Sequence, residues 1–191
     1  MQTFHIDRVV QGLREIRDEA FTCDNVYDFL GQNPIDRDSI TKYFFWSPDY
    51  YTRNLIYKDD RFEVMAICWE VGQVSRVHDH SDQKCWMTVP IGRLQGQNFA
   101  VDEIDPSRGF CKLSRTDVFE LADCLAAKVE LEEPIHQVLN LDEYDERAVS
   151  VHIYSKPYTN CNSYCLDTNT YKNVPLCYTS IGGKLVQGAS L

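Results

Sequence analysis

Two histidines separated by one residue are the feature of this sequence best suited to chemistry. They end the segment Gly72-Gln-Val-Ser-Arg-Val-His78-Asp-His80, in a part of the chain rich in β-forming residues. Residues two apart in a strand share a face, so we expect both imidazoles to point the same way, with Asp79 on the other face. Imidazole is a frequent ligand of transition metals. The spacing therefore indicates a pair that can chelate one metal ion.

His136 is the candidate third ligand. It lies in Pro-Ile-His-Gln-Val-Leu-Asn, residues 134–140, an apolar run typical of a buried strand. Taken alone, it is more simply interpreted as a core histidine bonded to a backbone carbonyl. With the pair it completes a three-imidazole site, which leaves three positions of an octahedral metal open and its charge uncompensated. An anionic bidentate substrate and O2 fit such a site, but hydrolytic zinc enzymes use the same ligands, so the spacing does not choose the metal.

A second candidate group lies in Val-Ser-Val-His-Ile-Tyr, residues 149–154. The period of two puts three apolar residues on one face of a strand and Ser150, His152 and Tyr154 on the other. A row of hydroxyl, imidazole and phenol needs hydrogen-bond partners. These are found either in a pocket or in solvent, and the residue types alone leave both interpretations open.

Arg53 is the third candidate, in Tyr51-Thr-Arg53-Asn-Leu. An isolated arginine is by default a surface residue. A guanidinium that enters an apolar barrel is costly unless it meets an anion, and its planar fork matches a carboxylate in two parallel hydrogen bonds. The sequence alone favours the surface interpretation.

The elements that must position these groups differ between the two parts of the chain. Before about residue 50, apolar residues such as Val9, Leu13 and Ile16 recur at helical spacing, and a further short helix is predicted from Asp38 to Phe45. After about Tyr51 the sequence consists of short runs rich in Val, Ile, Tyr and Phe, separated by Gly, Pro and Asp. The pattern predicts a mainly β sandwich or barrel behind a helical leader.

Composition limits the partners and the number of domains. The 191 residues are 43% hydrophobic, enough for one sizeable core but short for two, so we expect a single domain over 1–191. Within it we expect a helical leader at 1–50, a barrel at 51–170 and a tail at 171–191 that packs on the barrel. The 19 basic and 29 acidic side chains give a net charge of −10, which disfavours nucleic acids and anionic membranes. No signal peptide or membrane span is apparent, so we expect a cytoplasmic protein.

The eight cysteines are interpreted as reduced thiols rather than a disulfide framework. Cys161 and Cys165 are closely spaced, but no second pair completes a zinc tetrad. Five others are predicted to be small buried hydrophobes: Cys23, Cys68, Cys111, Cys124 and Cys177.

These motifs resemble those of a known family. The first cupin motif, with cysteine where most cupins have a metal-binding glutamate, is matched by Gly72, His78, His80, Cys85 and Gly92. His136-x3-Asn140 resembles the core of the second motif, although the Pro-x-Gly element upstream is degenerate. The exchange of glutamate for cysteine is typical of the cysteine dioxygenase family. The resemblance runs from about Tyr51 to Cys161.

The resemblance implies a cupin (jelly-roll) β-barrel with N-terminal helices and one Fe(II) per chain on His78, His80 and His136. It implies a monomer that oxidises L-cysteine with O2 to cysteine sulfinic acid. By carry-over, Arg53 clamps the substrate carboxylate and Tyr51 lies near its amino group. A glutamine at the arginine position goes with the branch that prefers 3-mercaptopropionate, so the arginine favours L-cysteine.

The resemblance also assigns roles to the second group. Tyr154 orders the substrate and oxygen, and His152 and Ser150 hold its hydroxyl. Tyr154 and Cys85 match the pair that animal members join by a thioether bond. Cys161 matches a cysteine near the family's pocket entrance, for which a structural role is as plausible. The family's Ser-Pro-Pro turn is Ser-Lys-Pro here, at 155–157.

Three alternative functions stay open. The protein is a dioxygenase for 3-mercaptopropionate, cysteamine or another thiol; or it is a metal-binding cupin without oxidative activity; or it is a zinc or nickel hydrolase or isomerase.

Overall fold

A computed structural model of the chain describes residues 2–129 and 135–187. Its leader has two helices, α1 (Ile6–Glu15) and α2 (Cys23–Gln32). The side chain of Thr22 accepts a hydrogen bond from the N–H of Asn25 and thereby caps α2. The apolar face of α1 is buried because its residues recur at the spacing of one helix face. The predicted helix at 38–45 is a 3-10 helix at Asp38–Tyr43.

The described residues contain thirteen strands. In chain order they are β1 (Thr52–Lys58), β2 (Glu63–Trp69), β3 (Val77–His78), β4 (Lys84–Ile91), β5 (Arg93–Asp105), β6 (Phe110–Ala122), β7 (Ala126–Val129), β8 (Ile135–Leu139), β9 (Ala148–Ser155), β10 (Asn160–Cys165), β11 (Thr170–Pro175), β12 (Ser180–Ile181) and β13 (Lys184–Leu185). The expectation of a mainly β protein behind N-terminal helices is confirmed.

The strands form two sheets. The first has the order β13-β12-β1-β2-β9-β4-β7, and the second, β10-β11-β6-β5-β8-β3, closes on itself. The described part of the predicted tail at 171–191 contributes strands to both sheets, and β12 pairs in parallel with β1. This pairing could not be predicted because two-residue strands have no detectable period.

Two apolar cores fix the first sheet from both sides. Its outer face packs on the helices through residues such as Leu13, Val64 and Val151. Its inner face packs against the second sheet through residues such as Met65, Met87 and Val138. Because both faces are covered, β2 and β9 are buried along almost their whole length. A polar side chain on the inner face therefore lies between the two sheets, away from bulk water.

The cysteine predictions are correct in part. All eight cysteines are free thiols, and Cys68 and Cys111 are buried. Cys23 and Cys124 are only partly buried, and the burial predicted for Cys177 is wrong because it is exposed in the segment after β11. Among the described helices, none combines the length and apolar character needed to cross a membrane.

Candidate metal centre and substrate cavity

Three histidines from the second sheet and the loop after β3 converge at one point. His78 ends β3 and lies opposite His136 of β8, while His80 follows two residues after His78. One ring nitrogen from each lies within 4.8 Å of the others, and the ring centroids are 4.6 to 5.4 Å apart. The predicted strand is shorter than expected, since β3 ends before Asp79, yet both imidazoles of the pair reach the same point.

The triad is suited to a metal ion. Both ring nitrogens of His80 are buried without a hydrogen-bond partner among the described residues, and such nitrogens are costly unless something binds them. Nδ1 of His78 lies 2.8 Å from the carbonyl oxygen of Arg76, an outer contact that orients a ligating imidazole. Burial lowers the pKa of His78 and, with the neighbouring imidazoles, lowers the pKa of His80 well below its ordinary value. Both are therefore neutral at pH 7, as metal ligation requires.

Asp79 holds the loop between the two histidines from the opposite side. It is buried, and its carboxylate accepts hydrogen bonds from the N–H of Ser81, from the N–H and side-chain amide of Asn162, and from the hydroxyl of Tyr164. These bonds tie the loop to β10. Asp79 thus acts as an anchor of the metal site, on the face that the strand alternation predicted.

Ser150, His152 and Tyr154 form a buried hydrogen-bonded row on β9, and the interpretation of a solvent-facing strand is wrong. Nε2 of His152 lies 2.9 Å from Oγ of Ser150, and its Nδ1 lies 3.0 Å from the hydroxyl oxygen of Tyr154. The indole N–H of Trp69 donates to Oγ of Ser150 at 3.0 Å. Burial lowers the pKa of His152 to about 3, so its imidazole is neutral.

The indole N–H of Trp69 can only donate, so Ser150 accepts from it. The row is fully satisfied in the tautomer of His152 whose Nε2 accepts the hydroxyl proton of Ser150. In a neutral imidazole, Nδ1 then carries the proton and donates it to the oxygen of Tyr154. The phenol proton of Tyr154 stays available to the cavity, and the ring of Tyr154 lies 5.3 Å from that of His80.

Arg53 lines the cavity, so the surface interpretation is wrong. Its Nε is buried without a hydrogen-bond partner, and no carboxylate pairs with its guanidinium among the described residues. Tyr51 lies beside it and stacks on Trp69 with ring centroids 4.5 Å apart. An unpaired guanidinium in such a place is a site for an anionic ligand group.

Cys85 lies behind the cavity and is 1% exposed. It is the direct register partner of Tyr154 across β4 and β9, and both belong to the core between the sheets. Burial raises the pKa of its thiol, so it is protonated at pH 7. Side chains of directly opposite residues in an antiparallel pair are close neighbours.

The cavity enclosed by these groups has a volume of about 430 Å³. Of the nine predicted site residues, six line it: Tyr51, Arg53, His78, His136, His152 and Tyr154. His80, Cys85 and Ser150 lie behind these. Cys161 also lines the cavity and is buried, in agreement with the position that the resemblance implied.

Sequence reasoning missed several side chains. Tyr158 lines the cavity, and its ring centroid lies 5.1 Å from that of Tyr154 and 5.9 Å from that of His80. Glu63 is fully buried opposite Tyr154, where it accepts a hydrogen bond from Tyr178 and pairs with Lys58 at 3.6 Å. Glu63 had a detectable signal, since it opens a strand that is otherwise apolar. Tyr158 lies in a turn and had none.

The sequence comparisons agree with this architecture. Residues 3–166 match the family described as Cysteine dioxygenase type I. Cysteine dioxygenase type 1 of Danio rerio is 28% identical over 161 residues, which cover 84% of this chain and 77% of the relative. The protein of the same name from Rattus norvegicus is 30% identical over 131 residues, covering 68% of this chain and 63% of the relative. The chain thus spans less than two thirds of the rat protein.

A solved structure was also found, a conserved protein with a double-stranded β-helix domain from Klebsiella pneumoniae. It superposes with a TM-score of 0.48 at 14% identity, over 72% of this chain and 88% of that chain. The closed sheet and its three-histidine group define a mainly β barrel protein with a fitting metal site. The family match covers most of the chain, so the protein belongs to the cysteine dioxygenase type I family.

Proposed function

We propose that the protein is a thiol dioxygenase that converts L-cysteine and O2 into cysteine sulfinic acid, with one ferrous ion held by His78, His80 and His136. One observation carries the proposal: three histidines converge beside a cavity that also contains Arg53, a cation without a carboxylate partner. The names of the relatives support the same activity.

The chemistry balances without a reductant. Ferrous iron held by His78, His80 and His136 would supply open coordination positions for a thiolate and for dioxygen. In the overall reaction both oxygen atoms of O2 are transferred to sulfur. Sulfur loses four electrons and O2 gains four. The protein contributes the positions of the reacting groups, which is the main catalytic device when two ligands must meet.

The residues of this chain would orient the substrate from the opposite wall. Arg53 would take the carboxylate in a charge-assisted pair, and Tyr51 lies beside it, where the amino group is expected. Tyr154 would donate its free phenol proton toward the reacting oxygen or sulfur, because His152 holds the other side of its hydroxyl. These assignments depend on the proposed function.

We also propose that Cys85 and Tyr154 form a thioether cross-link during turnover. Their direct opposition across β4 and β9 supports it. The sulfur would bond to a ring carbon of the tyrosine, and the two hydrogens and two electrons released would pass to O2. Peptide mass spectrometry before and after aerobic turnover should show a joined peptide lighter by two hydrogens. Cys85→Ser is the matched control, and an unchanged wild-type mass after turnover would argue against the bond.

The first experiment is O2 consumption by protein loaded with iron under anaerobic conditions, with sulfinate quantified for L-cysteine, cysteamine and 3-mercaptopropionate. We expect one O2 per sulfinate and the highest kcat/KM for L-cysteine. Preference for another thiol would keep the reaction class and change the substrate. No uptake with any thiol, despite bound iron, would favour a non-oxidative cupin.

The choice of iron, the cytoplasmic location and the monomeric state are further parts of the proposal. Metal analysis of protein purified without added metal tests the first and separates iron from zinc or nickel. Light scattering on the eluting protein tests the last and should give the mass of one chain.

A further inference from the structure

The cavity has an unusual charge composition for a protein with a net charge of −10. Three basic side chains line it, Arg53, Arg76 and Lys172, and no carboxylate does among its described lining residues. The outer groove that continues from it has one acidic side chain in its described lining, Asp49. A concentration of positive charge in an acidic protein attracts anions to that place.

Lys172 lies two strands away from His78 in the second sheet, is exposed and lines the cavity. It lies opposite Ser163 on β10, which in turn lies opposite His78. Register partners on neighbouring strands project to the same face, and Ser163 and Lys172 both line the cavity. With about 4.8 Å between strands, the Cα of Lys172 is about 10 Å from that of His78. Its flexible four-carbon stem extends the ammonium over part of that distance.

Arg76 lies next to β3, two residues before His78. It is exposed and lines the cavity. Burial raises the pKa of Tyr51 and raises that of Cys161 to about 11, while the charge of Arg76 opposes both shifts. Arg76, Tyr51 and Cys161 line the same cavity. Neither Arg76 nor Lys172 has an ion-pair partner among the described residues.

We propose that Arg76 and Lys172 form a second anion subsite beside the histidine triad, so that the cavity binds small thiols with two carboxylates. Arg53 takes one carboxylate and the second subsite takes the other. The inference rests on the proposed function in taking thiols as the ligands. A thiol with one carboxylate would pair with Arg53 and leave Arg76 and Lys172 without an anionic partner. A second carboxylate on the ligand would pair with these two side chains. The cavity of about 430 Å³ has room for the larger ligand.

The test is a thermodynamic cycle in which one carboxylate is removed from the ligand and the charges of Arg76 and Lys172 are removed from the protein. Calorimetry under argon, on the metal-loaded protein, gives the dissociation constants of mercaptosuccinate and 3-mercaptopropionate, which differ by one carboxylate. Succinate and propionate form a second pair that lacks the thiol. We compare the wild type with the double variant Arg76→Gln, Lys172→Gln. Lys112→Gln removes one charge from an exposed position on β6 outside the cavity and is the control.

We expect both dicarboxylates to bind the wild type and Lys112→Gln more tightly than their monocarboxylate partners. The double variant should lose about tenfold of that preference, since two partly exposed ion pairs are removed. A preference that is absent in the wild type, or that persists in the double variant, would overturn the subsite. The proposed function fails separately, through absent O2 uptake with L-cysteine. The succinate pair reports on the subsite whether or not thiols are oxidised.

Discussion

The two walls of the cavity satisfy their polar groups in different ways. On the first sheet, Ser150, His152 and Tyr154 bond to one another and to Trp69, so the row is nearly complete without a ligand. On the opposite wall, both ring nitrogens of His80, two residues after β3, are buried and unbonded among the described residues. Buried polar groups normally have partners. The difference indicates that the first wall is preorganised by the protein itself, whereas the second is completed by a bound ion.

Two groups on the first wall depart from this pattern, Nε of Arg53 and Oε1 of Glu63, since both are buried without a hydrogen-bond partner among the described residues. Of the two, the positively charged Arg53 lines the cavity. The site therefore has three parts. The metal position, with His80, lies on one wall, and the anion position at Arg53 lies on the other. Beside Arg53 lies the relay of Ser150, His152 and Tyr154, whose hydrogen bonds are already satisfied within the protein. Substitutions in the three parts should differ in what they remove: metal binding, ligand binding or stability.

The largest effect is expected at the metal position. His80→Ala should weaken iron binding by at least about 100-fold, because it removes one of three ligands, more than the loss of an outer contact. Metal content after dialysis against a weak chelator measures this. His5→Ala, at the exposed cap of α1, is the control.

The His80→Ala variant should keep its secondary structure, since the substitution also removes two unbonded buried nitrogens. Circular dichroism tests this. If the variant retained stoichiometric iron, the second wall would not be completed by a metal, and the contrast between the walls would be wrong.

The anion position should give the next largest effect. Arg53→Gln should weaken the binding of L-cysteine by about 2–3 kcal/mol, which is the contribution of a desolvated charge-assisted ion pair, and should raise its KM accordingly. Cysteamine, which has no carboxylate, should be almost unaffected. Steady-state O2 uptake with both thiols measures the two values, and Lys112→Gln serves as the control for a lost positive charge. Equal losses for both thiols would indicate a structural role instead.

The relay should respond mainly in stability. His152→Phe leaves the hydroxyl of Tyr154 without its buried partner, so the free energy of unfolding should fall by about 1–3 kcal/mol at pH 7. Urea unfolding measures it. Tyr154→Phe, which keeps the imidazole, should destabilise less.

The same residue predicts a pH dependence with a definite sign. Burial lowers the pKa of His152 from 6.5 in the unfolded chain to about 3 in the fold. Its stabilising contribution is complete above pH 6.5 and is lost as the pH falls toward 3, because the unfolded chain binds a proton that the fold does not. Between pH 7 and pH 5, the free energy of unfolding of the wild type and of Tyr154→Phe should fall by about 2 kcal/mol more than that of His152→Phe. Parallel curves for all three would show that the imidazole is not held neutral.

Periodicity predicted the parts of the site that lie on one strand. The alternation at 149–154 placed the relay on one face, and the spacing of His78 and His80 placed both on one side although β3 ends at His78. Local patterns are reliable here because the strand period is fixed by backbone geometry. The resemblance was needed for Arg53, since an isolated arginine has no pattern that distinguishes a cavity from the surface.

Positions that depend on strand pairing escaped prediction. Lys172 reaches the cavity because β11 pairs with β10 and β10 with β3, and none of these pairings is encoded in a local run. Glu63 reaches the inner face through pairing with β9. Each is an ordinary charged residue in sequence, and only the register of distant strands assigns it to the site.

Glu63 gives the smallest and most specific test of the anion position. It is fully buried on the inner side of β2, and its charge is one of those that stabilise the protonated form of Arg53. It therefore offsets part of the positive potential that a substrate carboxylate meets. Glu63→Gln should lower KM for L-cysteine by about twofold to fivefold, since buried charges interact over several ångströms. KM for cysteamine should change less or in the opposite direction.

Stability should fall only slightly in Glu63→Gln, because the amide keeps the volume of the side chain and can still accept the hydrogen bond from Tyr178. The ion pair that is lost involves the partly exposed Lys58 and is worth about 1 kcal/mol or less. Glu103→Gln, which removes an exposed carboxylate from β5, is the matched control and should leave both KM values unchanged. A higher KM for L-cysteine in Glu63→Gln would mean that Glu63 holds Arg53 in place rather than competing with the substrate for it. Arg53 would then belong to a self-satisfied first wall, and only the histidine wall would await a ligand.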